Sequence, residues 1–123
     1  MGNTGKYLIP KSHTVLKAQR TEDNSIKSDQ KGDRSCQYEP FPIDDFVAKI
    51  KEEKPAAIFA PHVETSTGII LPDDYIRRAA EAVHEVGGLF VLDCIASGTV
   101  WVDMKGLGVD VVISAPQKGW TGE

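Results

Sequence analysis

Cysteine is scarce in this chain: Cys36 and Cys94 are the only two, and they lie far apart without ligand-like spacing. That excludes a cysteine-based zinc module and a disulfide framework, and it favours a reduced, cytoplasmic setting. Long apolar runs are missing too, so no segment approaches the roughly 20 residues that cross a bilayer. Met1-Gly2-Asn3-Thr4-Gly5-Lys6 lacks the apolar core of a secretory signal, and Lys6 stands where a myristoylation motif needs Ser or Thr. Lys and Arg are scattered among a larger number of Asp and Glu, for a net charge of -4. With neither a basic stripe nor a polybasic tail, nucleic acid and membrane are not expected partners. There is no G-x-G-x-x-G, no G-x-x-x-x-G-K-[ST] and no H-E-x-x-H, which removes the usual signatures of dinucleotide, nucleoside triphosphate and catalytic metal sites.

What is present suffices for one domain. At 123 residues the chain can bury a core, but not the large-plus-small arrangement of most cofactor enzymes. Residues 1–40 are expected to be irregular or poorly ordered, because Lys, Arg, Asp, Glu, Ser, Thr and Gln dominate from 11 to 37 and the few apolar residues follow no period. Only Tyr7-Leu8-Ile9 suggests a short strand there.

From Phe41 the pattern changes. Ile43, Phe46, Val47 and Ile50 share one helical face, Asp44 and Asp45 sit where a helix N-terminus favours negative charge, and the helix should stop before Pro55. Ala56-Ala57-Ile58-Phe59-Ala60 then predicts a strand buried on both sides. Pro72-Asp73-Asp74 opens a second helix with Ile76, Ala79, Ala80 and Val83 inward, and Gly87-Gly88 closes it. Leu89-Phe90-Val91-Leu92 and the apolar run 109–113 predict two more buried strands. Helices alternating with uniformly apolar strands indicate an α/β class with a mostly parallel sheet flanked by helices. Residues 41–123 are thus read as one partial α/β domain.

In an open parallel sheet, ligands bind beyond the carboxyl ends of the strands. Three predicted strands run there into polar groups: the first into His62 and Glu64-Thr65, the second into Asp93, the third into Ser114, Gln117 and Lys118. Each has a bland reading. Asp93 can cap a turn, a loop lysine is usually solvated, Thr65 is an ordinary turn residue, and His62 can be packed and hydrogen-bonded. Trp101 and Trp120 read as packing residues and Cys94 as core. Their convergence on one rim carries more weight than any one of them. A carboxylate from one strand and an amine from a later one are the minimal parts of a pyridoxal phosphate (PLP) site.

The strings His62-Val63-Glu64-Thr65-Ser66-Thr67-Gly68, Val91-Leu92-Asp93 and Ser114-Ala115-Pro116-Gln117-Lys118 resemble the class V aminotransferases, PLP enzymes of fold type I, and within them the alanine–glyoxylate and serine–pyruvate group. The resemblance covers about residues 41–123 and implies part of the large PLP-binding domain. It implies Lys118 as the residue forming the Schiff base with PLP and acting as general acid–base, and Asp93 as the carboxylate facing the pyridine nitrogen. Thr65 would bond near the phenolic oxygen, Ile95 would pack on a ring face, and Gln117 and Ser114 would contact the phosphate. The implied activity moves an amino group between a small amino acid of the alanine or serine type and a 2-oxo acid of the glyoxylate or pyruvate type, in a homodimer when complete.

A glycine-containing phosphate loop, a second ring-stacking residue, partner-subunit phosphate contacts and a substrate-gripping arginine, all features of that family, are not assignable here. With a polar run where the family has sheet, the sequence suggests a truncated product or a fragment, with an unpaired strand edge that invites self-association. Two alternatives remain: a non-catalytic remnant of the fold, and a phosphoacceptor signalling domain using Asp93 and Lys118, for which Glu64 is the only second acidic group. Desulfurase-like chemistry is disfavoured by Gln117, where those enzymes carry histidine, and by the strand-end position of Cys94.

Overall fold

In a computed structural model, residues 13–21, 38–120 and 122 are described. The strand suggested at Tyr7-Leu8-Ile9, the polar stretch 22–37 and Cys36 lie outside them. Within the described part of the stretch read as irregular, β1 (Gln19–Arg20) pairs antiparallel with β2 (Tyr38–Glu39).

The first helix, α1 (Ile43–Glu53), ends on Lys54, which takes a left-handed φ of 47° and donates its N–H to the Ile50 carbonyl at 2.8 Å. Pro55 follows, and a pre-proline residue resists the right-handed helical region. The second helix, α2 (Asp73–Glu85), buries Ile76, Ala79, Ala80 and Val83 completely, the face anticipated from their spacing. Its end is a Schellman motif: Gly88 N–H reaches the Val83 carbonyl and Gly87 N–H the His84 carbonyl, both at 2.9 Å, with Gly87 at φ 80°. The two glycines do different work. Gly87 supplies the left-handed turn, whereas Gly88 permits close approach, since a Cβ there would lie 2.4 Å from the Pro55 carbonyl oxygen.

Between and after the helices run β3 (Ala57–Pro61), β6 (Leu89–Asp93) and β7 (Val111–Ile113), a parallel sheet in the order β3-β6-β7. A small antiparallel hairpin, β4 (Val63–Glu64) with β5 (Ile69–Ile70), follows β3. The four-residue α3 (Pro116–Gly119) follows β7. Register places Ala57 opposite Leu89 and Ile58 opposite Phe90, so neighbouring side chains share a face. Ile58, Phe90 and Leu92 meet Ile50, Ile76 and Val83 in one buried cluster, which puts both long helices over this face. The Phe46 and Tyr75 rings stack at 6.1 Å between the helices, and the Tyr75 hydroxyl donates to the Phe41 carbonyl at 2.7 Å.

The strands were expected to be buried on both sides; only β6 approaches this. Phe59 is 60 % exposed, Leu89 50 %, Val111 43 % and Ile113 40 %. These residues alternate with Ile58, Phe90 and Val112, which pack in or against the core, so they lie on the opposite face of the sheet, where Val91 is buried and its neighbours are exposed. The third strand also begins later than its apolar run. Asp110 pins its start instead, donating N–H to the Phe90 carbonyl at 3.0 Å while its carboxylate accepts the Phe90 N–H at 2.7 Å. No helix among the described residues is long and apolar enough to cross a membrane.

Candidate active site

Parallel pairing brings three strand ends level: Pro61 lies opposite Asp93, and Asp93 opposite Ile113. Beyond them opens a cleft of about 600 Å³ whose lining includes Thr65, Asp93, Ile95 and Lys118. Residues 53 positions apart in sequence, from Thr65 to Lys118, thus share one space. Ser114 and Gln117 are exposed and lie outside that lining.

Asp93 is half-buried at the end of the central strand. One carboxylate oxygen accepts the Ile95 N–H at 2.9 Å, the turn-capping role of its bland reading, and the other has no hydrogen-bond partner among the described residues. Capping therefore uses half of the group and leaves an acceptor in the cleft. Ile95, held by that same bond, presents a partly buried aliphatic wall.

Thr65 sits in the turn between β4 and β5. The turn is organised by its neighbour: the Glu64 carboxylate accepts from the backbone N–H groups of Ser66 and Thr67 at 3.2 and 2.9 Å and from their hydroxyls at 2.6 and 2.8 Å. These bonds, against a smaller opposing effect of burial, push the Glu64 pKa down to about 2. Glu64 is thus an ionised anchor committed to its own turn. That weakens the phosphoacceptor alternative, for which it was the only second acidic group.

Lys118 is exposed within α3, where its N–H donates to the Ala115 carbonyl at 3.0 Å. Its neighbour Gly119 lies so close to Gly98 that a Cβ would fall 2.5 Å from the Gly98 Cα. Trp101 and Trp120, read as packing residues, pack against each other at the surface, with centroids 5.7 Å apart and Trp101 77 % exposed. Their contact fastens the loop after Gly98 to the end of α3.

His62 is packed and hydrogen-bonded, and Cys94 belongs to the core. Burial pushes the His62 pKa down and the Cys94 pKa up, so each is held in its neutral form. The His62–Ser97 and Gly98–Gly119 pairings escaped sequence reasoning, though the paired glycines flanking the strand-end segments were a usable signal for close backbone approach. Among the described residues, no group of His, Cys, Asp and Glu is arranged to hold a metal ion.

No family model matches the chain. A serine–glyoxylate aminotransferase of Hyphomicrobium methylovorum is 33 % identical over 76 residues, covering 62 % of this chain and 19 % of that protein. A solved ureidoglycine–glyoxylate aminotransferase of Bacillus subtilis superposes with a TM-score of 0.58 at 32 % identity, over 63 % of this chain and 20 % of the other. An alanine–glyoxylate aminotransferase of Nostoc sp. gives 0.55 at 29 %, with the same coverage. Over that stretch the chain is class V aminotransferase-like. The soluble hydrogenase small subunit of a Synechococcus sp. is also similar, 37 % identical over 86 residues, or 67 % of this chain and 22 % of that protein. The chain spans about a fifth of the length of the curated relatives it matches.

Proposed function

We propose that the chain carries the central part of a PLP-dependent transaminase site, acting between a small amino acid and a 2-oxo acid such as glyoxylate or pyruvate. One observation carries the reading: Asp93 and Lys118, from different strand ends, line the same cleft. The donor set fits a phosphorylated pyridine aldehyde, with a carboxylate for the ring nitrogen, an amine for the aldehyde, a hydroxyl from Thr65 and an apolar wall from Ile95. When bound, PLP supplies an electron sink for charge developing at the substrate α-carbon. Asp93 acts by keeping a proton on the ring nitrogen, which its negative charge favours. The Lys118 amine would hold the cofactor at its aldehyde, and the same amine would serve as general acid–base for the proton at the substrate α-carbon. Gln117 and Ser114, at the start of α3 and just before it, lie outside the cleft lining, so their assignment to the phosphate rests on the motif resemblance alone; the complete protein is read as a cytoplasmic homodimer.

Titration with PLP, followed by visible absorbance, tests the reading. A saturable band that disappears in Lys118→Ala and weakens in Asp93→Asn is expected. A band indifferent to both substitutions would overturn the assignment.

A further inference from the structure

His62 and Ser97 are the buried polar residues among the described ones. Their side chains meet each other, His62 Nδ1 to Ser97 Oγ at 2.7 Å, across 35 positions of sequence. A buried polar pair must repay its desolvation through that bond, and the net gain is small compared with an apolar pair of the same shape. What the bond does provide is direction, and its surroundings show what is being directed.

The His62 backbone is fixed at the end of β3: its N–H donates to the Asp93 carbonyl, and its carbonyl accepts the Leu71 N–H, both at 2.9 Å. Ser97 belongs to the turn after β6, its N–H donating to the Cys94 carbonyl at 3.2 Å and its carbonyl accepting the Val100 N–H at 3.1 Å. The same turn contributes Ile95, Ala96 and Gly98 to the cleft wall. On its far side Gly98 abuts Gly119, the residue after Lys118. A continuous line of contact therefore runs from the β3 end through His62, Ser97 and Gly98 to Gly119.

We propose that His62 is a positioning residue: through its hydrogen bond to Ser97 it sets the 94–98 turn, and thereby the separation of Asp93 and Lys118 across the cleft. The effect on cofactor binding rests on the PLP reading above; the effect on the turn does not. Asn at position 62 can place a polar atom near that of Nδ1, whereas Leu fills similar space with none.

Amide hydrogen exchange in the ligand-free chain and PLP affinity from visible absorbance form the test. His62→Leu should accelerate exchange at Ile95 and Ser97 by about tenfold and weaken PLP binding, while His62→Asn stays within about threefold of the parent at both. Ser97→Ala should reproduce His62→Leu, and combining the two should add nothing further. It also serves as the readout if His62→Leu fails to fold. Unchanged exchange at 95–98, an Asn variant as impaired as the Leu variant, or additive effects in the double variant would each overturn the proposal. If the parent chain binds no PLP, the functional reading fails alone, and the exchange data still decide the role of His62.

Discussion

On the helix-covered face of the sheet, Ile58, Phe90 and Leu92 meet Ile50, Ile76 and Val83 in one apolar cluster; at the carboxyl rim, strand-end residues are fixed by a handful of directional bonds. Burial is non-directional and scales with area, so the covered face tolerates any set of well-fitting apolar side chains. The rim depends on specific atoms, such as Glu64 Oε1 and Oε2 in the 64–67 turn and Asp93 Oδ1 on Ile95. Stability should therefore reside mainly in the first region and chemistry in the second.

Substitutions can break or sharpen that division. The largest stability loss is expected on the covered face, where Phe90→Ala removes a side chain that is 1 % exposed and should cost about 3–5 kcal/mol in denaturant unfolding. Next comes Gly88→Ala, whose Cβ must displace the Pro55 carbonyl, at about 1–3 kcal/mol in the same measurement. At the rim, Glu64 has a folded pKa of about 2 against 4.5 in a free chain. A depressed carboxylate stabilises above the unfolded value and loses that contribution as pH falls through the folded one. The melting temperature should thus fall between pH 4.5 and about 2, and Glu64→Gln should flatten that part of the profile. Smallest of all, exposed Lys118→Ala should change stability by no more than about 0.5 kcal/mol while abolishing the PLP band. A large stability loss there would erase the distinction between the regions.

Much of this was legible in the residues. The 3.6-residue spacing of Ile76, Ala79, Ala80 and Val83 gave the buried face of α2, and Gly87-Gly88 its end. Parallel topology was the reason to expect Thr65, Asp93 and Lys118 on one rim, and they line one cleft together with Ile95, which only the resemblance singled out. The exposed second face of the sheet was not legible, because an apolar run such as 109–113 reports an appetite for burial and not what lies over it. Nor was the His62–Ser97 bond, which requires knowing that β3 and β6 are neighbours in register. Ser114 and Gln117 were placed by motif and are absent from the cleft lining; the short α3 that starts between them is not revealed by periodicity in four residues.

Reduction of the PLP-treated chain with borohydride, followed by peptide mapping, tests the central claim that one lysine shares a cleft with Asp93. The label should concentrate on the peptide containing Lys118 and spare the exposed Lys51, Lys54 and Lys105. Label spread evenly over these lysines would contradict it.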